Sequence, residues 1–303
     1  MISSLVTPGM PVIVQGLTGR TGRDQTFRML KYGTNIVGGV SPRPDDSSTV
    51  RCFRSCAEAV AQTGAKASVV IVPPVSVLSA IREAVESGIG LIVTITEGMP
   101  IHDALKARSL VREAGARWIG ASTPGLAIPG KIKLGFLPDM ALAAGSLGVM
   151  SKSGTLAYEV CHRLVARGMG QSLWVGVGGD PVKGTRFADL LPIFADDPET
   201  DAVVIIGEIG GDEEEELAGR LLETSFSKPV FALLAGRNAR EGVTMGHAGA
   251  LVGESTGDIG TKASALEAAN ATVCSRMEEL VVSIADTIQH KAERATDLGL
   301  MMA

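Results

Sequence analysis

The apolar positions of this chain fall in short runs separated by amphipathic stretches, and the alternation occurs twice. In the first half "PVIVQG" (11–16), "NIVGGV" (35–40), "ASVVIVP" (67–73), "GLIVTIT" (90–96) and "RWIGAS" (117–122) are rich in β-branched residues and close on Gly, Pro or Ser. They read as buried strands. Between them "DQTFRMLKYG", "SCAEAVAQTG", "VLSAIREAVESG" and "IHDALKARSLVREAG" carry apolar residues at helical spacing and end in Gly. Strands alternating with helices predict a parallel sheet wrapped by right-handed crossovers. A Pro- and Gly-rich stretch, 122–146, breaks the rhythm and reads as a domain junction. The alternation then resumes with "LGVMSKSG", "SLWVGVGG", "DAVVIIGEIG" and "PVFALLAG". The expectation is an α/β protein with one domain over 1–130 and a second, also a parallel sheet, over 145–303.

Composition adds exclusions. A length of 303 residues suits two domains, and 45% hydrophobic residues can fill two cores. No apolar run approaches the ~20 residues of a membrane span, so no membrane role is expected. A net charge of −5 argues against a nucleic-acid groove or an anionic-membrane surface. The N-terminus lacks a basic segment followed by a long apolar core, and Pro8 and Pro11 spoil a targeting helix. The cysteines at 52, 56, 161 and 274 lack metal-ligand spacing, which predicts reduced thiols, a cytoplasmic setting and no metal site in this chain. The acidic run "DEEEE" (212–216) reads as a solvated helix start, where negative charge suits the helix dipole.

Three glycine-rich turns follow strands. In "QGLTGRTG", Gly16, Gly19 and Gly22 follow the first strand at intervals of three and lead into a helix. Such a turn lets a pyrophosphate approach the backbone and the helix N-terminus; a tight packing turn would use the same glycines. No acid ends the second strand to hold a ribose 2′-hydroxyl, and Arg43 suits a phosphorylated ribose, as in NADP or coenzyme A. The second turn, Ser153-Gly154-Thr155, offers a phosphate its N–H groups, or Ser153 or Thr155 simply caps the following helix. The third places Glu208 at the carboxyl end of an apolar strand, where a carboxylate needs a partner.

His247, in "TMGHAGAL", is the natural partner. His102, His162 and His290 lie on or beside helical stretches and read as packed or surface residues. His247 is flanked by Gly246 and Ala248, and it follows a strand of the half that carries Glu208. A carboxylate accepting from one ring nitrogen fixes the tautomer and frees the other as a nucleophile. A phosphoryl group on that nitrogen would need N–H donors, which the Ser153–Thr155 helix start supplies.

Taken together, "QGLTGRTG", "YGTNIVGGVSP", "TITEGMP", "SKSGTLAYE", "VGVGGDPVKG", "IIGEIGG" and "MGHAGALV", in order between residues 15 and 252, resemble the α-subunit family of succinyl-CoA synthetases. That family lies within the wider nucleoside-diphosphate-forming acyl-CoA ligases. The resemblance covers nearly the whole chain. It implies an N-terminal Rossmann-like CoA-binding domain followed by a flavodoxin-like parallel α/β domain that carries a phosphohistidine at His247. It further implies that Glu208 holds His247 and that Ser153, Gly154 and Thr155 cradle its phosphate. Thr18, Gly19, Arg20 and Thr21, with Ile95, Thr96 and Glu97, match CoA-binding segments, and Tyr158 matches a position lining the acid site at the subunit boundary. A β subunit would carry ATP or GTP with Mg²⁺, in a heterodimer or heterotetramer acting on a small carboxylic acid.

Two departures bear on the substrate. Pro44 stands where the family usually has a lysine, with Arg43 beside it, and "ASTPG" (121–125) replaces "PNCPG". The resemblance implies that this loop borders the acid, so Ser122 and Thr123 would face it, leaving succinate, malate, another dicarboxylate or a sulfinate-type acid open. Two other functions use part of these features. An NADP-dependent oxidoreductase would have no use for His247, and a non-catalytic CoA-binding regulatory protein would keep it as a vestige.

Overall fold

The structure, a computed structural model, describes residues 2–44, 50–236, 249–250 and 257–301, with side chains in the last helix through 289. The first sheet takes its strands from β1 (Val12–Gln15), β2 (Ile36–Val40), β3 (Cys52–Phe53), β4 (Ala67–Val70), β5 (Leu91–Thr94) and β6 (Arg117–Gly120). Its helices are α1 (Arg20–Tyr32), α2 (Cys56–Thr63), α3 (Val77–Glu86) and α4 (Ile101–Glu113). All neighbouring strands pair in parallel. Strands β1, β4 and β5 are buried along their whole length, which is why they read as apolar runs rather than alternating patterns. Helices α1 and α2 stop where Gly33 and Gly64 adopt the left-handed conformation. The strand order is β3-β2-β1-β4-β5-β6. This is the doubly wound dinucleotide-binding order, and the winding reverses between β1 and β4.

The second sheet is formed by β7 (Gly125–Ile128), β8 (Ile132–Gly135), β9 (Ala144–Ser151), β10 (Gln171–Gly176), β11 (Ala202–Glu208), β12 (Val230–Ala235) and β13 (Thr272–Cys274). Its helices are α5 (Gly154–Ala166), α6 (Phe187–Ala195), α7 (Glu213–Glu223), α8 (Ile259–Ala268) and α9 (Met277–Met301). The order is β13-β12-β11-β9-β10-β7-β8. Five parallel strands have the flavodoxin-like arrangement, with the reversal between β9 and β11.

The sheet is mixed, however, not wholly parallel. β7 and β8 form an antiparallel hairpin, and β7 adds antiparallel to β10. The stretch 122–146, expected as a bare junction, supplies this hairpin, so strand structure of the second sheet begins at Gly125. The hairpin also ties the halves together: Thr34 donates to the Lys133 carbonyl at 2.7 Å and accepts from its N–H at 3.1 Å. A single apolar cluster runs from Val12 and Met29 through Leu126 and Leu134 to Ile205. Among the described residues no helix is long and apolar enough to cross a membrane.

Candidate active site

The reversal in the second sheet opens a crevice outside the carboxyl ends of β9 and β11. Each strand delivers a charged residue to that edge immediately after an apolar run: β9 leads into Lys152, and β11 ends on Glu208. Both are buried, so each needs compensation inside the protein. Lys152 Nζ lies 2.8 Å from Glu214 and 3.8 Å from Glu213. The backbone N–H of Glu208 donates to Glu214 Oε1 at 3.1 Å. Burial alone would push the Lys152 ammonium down, but Glu214, Glu213 and Glu208 offset it and hold the group above the ordinary lysine range. Burial likewise pulls the Glu214 carboxyl up, and Lys152 and Lys262 hold it below the ordinary carboxylate range.

These contacts correct the reading of the acidic run. It does open a helix, α7, but Glu213 and Glu214 are 4% and 0% exposed rather than solvated. The lysines at 152, 183 and 262 supply the counter-charge that lets them enter. Asp180, Lys183, Glu208 and Gly249 help to line a cavity of about 80 Å³ at this edge. Room of that order holds a few waters or a group the size of a phosphoryl.

Ser153 is the N-cap of α5, its Oγ accepting from the Leu156 N–H at 3.3 Å. Gly154 and Thr155 form the first turn, whose leading N–H groups have no intrahelical partner. His247 lies outside the described residues, as does the side chain of His290. Gly249, two positions later in the sequence, donates its N–H to the Gly179 carbonyl at 3.1 Å and belongs to the cavity wall. His162 Nδ1 lies 3.2 Å from the Met140 carbonyl, and His102 is exposed on α4; neither belongs to the cavity.

The 121–125 loop joins the two sheets. The Ser122 N–H donates to the Thr96 carbonyl at 2.9 Å, and the Ser122 carbonyl accepts from the Gly179 N–H at 3.3 Å. Ser122 holds φ at 57°, the left-handed region that non-glycine residues seldom occupy. The Thr123 hydroxyl donates to the Gly176 carbonyl and accepts from the Gly125 N–H, so its job in this structure is to fix the loop. Pro124 packs on Gly154: a Cβ placed there would lie 3.4 Å from the proline ring and 3.5 Å from the Tyr158 hydroxyl. Tyr158 packs edge-on against Trp174 at 5.9 Å, and burial pushes its phenol up to about 12. The fold thus brings Ser122, Thr123, Gly154 and Tyr158 together.

At the first reversal, a cleft of about 440 Å³ opens outside β1 and β4, lined by Thr18, Gly19, Ser41, Val72, Ser76 and Glu83, among others. Gly16 and Gly22 serve close packing. A side chain on either would meet a carbonyl oxygen at 2.1 Å, that of Ile71 and of Gly16 respectively. Helix α1 starts at Gly19 with no side-chain cap and no acid in its first turn, so its leading N–H groups are open to an external anion. Thr18 and Ser41 share a hydroxyl hydrogen bond of 2.9 Å. Arg20, Thr21, Arg43 and Glu97 are exposed and do not line this cleft. Ile95 is buried, and Thr96 donates to the carbonyl of Val72, a residue of the cleft wall, at 2.7 Å.

Residues 9–98 match the family model described as a CoA binding domain, and residues 150–272 the one described as CoA-ligase. Over 285 residues the chain is 43% identical to alpha subunit 1 of the ADP-forming succinate–CoA ligase of Archaeoglobus fulgidus, covering 93% of this chain and 97% of that one. The chain belongs to the family of ADP-forming acid–CoA ligase alpha subunits. Within that family it is also 37% identical, over 297 residues, to the malate–CoA ligase alpha subunit of Methylorubrum extorquens, covering 96% of this chain and all of that one. Among solved structures, ATP citrate lyase of Methanothrix soehngenii in complex with citrate and coenzyme A matches with a TM-score of 0.85 at 21% identity. That match covers 95% of this chain and 52% of the lyase chain, and it speaks to the fold alone.

Sequence reasoning missed Lys152, Lys183, Glu213, Glu214 and Lys262. For the first the signal was present: a lysine directly after a buried strand, at the sheet edge where ligands bind. The carboxylates stood in a run whose commonest fate is solvent, and their pairing partners are 48 to 62 residues away for Glu214 and 30 for Glu213–Lys183.

Proposed function

We propose that this alpha subunit joins a small carboxylic acid to coenzyme A through a phosphohistidine at His247, working with a β subunit that binds ATP and Mg²⁺. The γ-phosphoryl group of ATP passes to a ring nitrogen of His247; the N–P bond forms as the P–O bond to ADP breaks. A carboxylate oxygen of the acid then attacks phosphorus, the N–P bond breaks, and an acyl phosphate results. The CoA thiol gives up its proton and attacks the acyl carbon, forming the C–S bond and releasing phosphate. Dividing the condensation in this way replaces one unfavourable step with covalent stages.

The observation that carries this reading is the small crevice at the second reversal. There Glu208, the Lys152 ammonium and Gly249 meet, close to the capped start of α5. Gly249, which lines this crevice, follows His247 by two residues in the sequence. In this proposal Glu208 accepts from the ring nitrogen that stays unphosphorylated, and the Gly154 and Thr155 N–H groups receive the phosphoryl oxygens. CoA occupies the first cleft, its phosphates at the uncapped start of α1 by Thr18 and Gly19, with Arg20, Thr21 and Arg43 reaching it from solvent. The acid sits by Ser122 and Tyr158, whose phenol remains protonated and able to donate. We take it to be a small dianionic acid, succinate, malate or sulfoacetate, because relatives named for each are similarly close to this chain. Four free thiols accord with a cytoplasmic enzyme.

Incubation of the assembled enzyme with γ-labelled ATP should give acid-labile, base-stable label that acid plus CoA discharges. His247→Asn should abolish the label and leave CoA binding within twofold. Full labelling of His247→Asn would refute the reading, and a panel of acids assayed on the labelled enzyme assigns the substrate.

A further inference from the structure

The first turn of α7 bonds directly to the ends of two strands and, through Lys183, to the loop after a third. Glu214 accepts from the Glu208 N–H at the end of β11 and from Lys152 just beyond β9. Its other partner is Lys262 of α8, 2.6 Å away; that ammonium also donates to the Gly211 carbonyl at 2.9 Å and to Glu215. Glu213 reaches in the third direction. It pairs with Lys183 at 2.9 Å and accepts from the Phe187 N–H at 2.9 Å. Lys183 in turn donates to the Gly178 carbonyl at 2.6 Å, in the loop that follows β10. The next residue, Gly179, is the acceptor for the Gly249 N–H. Room for this contact is built in: a Cβ on Gly207 would lie 2.5 Å from Glu214 Oε1.

We infer that Glu213 and Glu214 are positioning residues for the phosphoryl-transfer site. This rests on the roles given above to Glu208 and His247. Glu214 fixes the backbone of Glu208 and the approach of Lys152 to it. Glu213, through Lys183, fixes the Gly178–Gly179 loop that anchors the chain just after His247. Glu214 stands behind the cavity wall, and Glu213, which lines it, spends its carboxylate on Lys183 and the Phe187 N–H. They sit at their own helix N-terminus, where the dipole favours their charge, and no bulk water competes for their hydrogen bonds. A site that moves a phosphoryl group needs its groups held within about 0.5 Å, and a rigid ion network does that better than exposed loops.

Two double variants that each remove one carboxylate with one ammonium test this at unchanged net charge: Glu214→Met with Lys262→Met, in which Lys152 keeps Glu213 at 3.8 Å, and Glu213→Met with Lys183→Met. Three quantities are read on the assembled enzyme: the rate of phosphoryl labelling per folded molecule, KM for CoA, and residue-resolved amide exchange. We expect labelling at least tenfold slower in both, with KM for CoA within twofold of the parent. The Glu208 amide should lose protection in the first variant and the Gly249 amide in the second, while Glu223→Gln, exposed on the same helix, changes neither. A purely structural role predicts a lower melting temperature with parental labelling and parental exchange at both amides, and that result overturns the inference. Should one variant fail to fold, the other decides, since each predicts its own amide. If the parent enzyme takes no label at all, the phosphohistidine reading falls, and the two amides still judge the positioning.

Discussion

The two halves of this chain place a helix N-terminus beside a sheet reversal, and they furnish it in opposite ways. At the first reversal α1 begins without a side-chain cap or an acid in its first turn, beside a cleft of about 440 Å³ in which, among the described residues, Glu83 is the one charged side chain. At the second, the cavity is about 80 Å³, lined by the buried Lys152, Lys183, Glu208 and Glu213, with Glu214 and Lys262 paired behind them. The first site leaves its dipole unspent, so a ligand must bring the negative charge. The second carries its own charges, already paired and fixed, as suits a site where charge moves during reaction. On the proposed mechanism, one half is furnished to bind and the other to react.

Breaking the ion network should produce the largest effect. Glu214→Ala leaves Lys152 and Lys262 buried with one carboxylate fewer, and loss of one partner from a buried set costs about 3–5 kcal/mol. Glu83→Gln in the first half disturbs only a half-buried acceptor of the Cys56 N–H and should cost less than about 1.5 kcal/mol. Denaturant unfolding of both variants compares them; equal losses would erase the contrast.

The network also fixes a pH signature. Glu214 has its folded value lowered below the ordinary 4.5, so its stabilisation is complete above 4.5 and is lost as pH falls through the folded value. Lys152 is raised above 10.5, so its contribution is complete below 10.5 and is lost as pH climbs through the folded value. In Glu214→Gln the acid-side loss should flatten, and the alkaline loss should begin at lower pH because Lys152 has lost its main partner. Urea midpoints measured from pH 3 to 11 check both limbs.

Gly22→Ala probes the other half. Its methyl would press on the Gly16 carbonyl at 2.1 Å and force α1 away from β1. Overpacking of this kind costs about 1–3 kcal/mol, and CoA affinity should fall at least tenfold by calorimetry. Labelling of the enzyme by ATP in the absence of CoA should stay within threefold of the parent, because the reacting site is in the other sheet. Calorimetry with NADPH on the unaltered protein sharpens the same point: tight NADPH binding without CoA binding would reassign the first cleft.

How much of this was written in the sequence depends on whether the controlling contacts are local. The strands around both reversals announced themselves as apolar runs because both their faces are covered. Glu208 was legible because a carboxylate ending such a run has few places to go. The β7–β8 hairpin carried a signal too, Pro129-Gly130 between two four-residue strands, but the surrounding Pro and Gly residues disguised strands that short. The burial of Glu213 and Glu214 was not legible, because it depends on lysines brought in from β9, α8 and the 183 loop by the sheet topology. Arg20, Thr21 and Arg43 illustrate the converse: residue type and motif marked them for CoA, while the fold leaves them exposed beside the described cleft.

The smallest predicted effect concerns the third helix start, which stands between the two extremes. Ser153 spends its hydroxyl capping α5, so only part of that N-terminus is left for a ligand. Ser153→Ala should cost about 1 kcal/mol of stability through the lost cap. If the cap is all that Ser153 provides, labelling per folded molecule will equal that of the parent. If the α5 start also receives the phosphoryl oxygens, fraying of its first turn will misalign the Gly154 and Thr155 N–H groups, and the phosphoenzyme will form about threefold to tenfold more slowly. Ser153→Asp separates the alternatives further. Aspartate caps at least as well as serine, so stability should recover, but its charge would occupy the helix end and repel the incoming phosphoryl group. A variant that is as stable as the parent yet labels more slowly than Ser153→Ala places the phosphate at α5; one that labels at the parental rate places it elsewhere in the cavity.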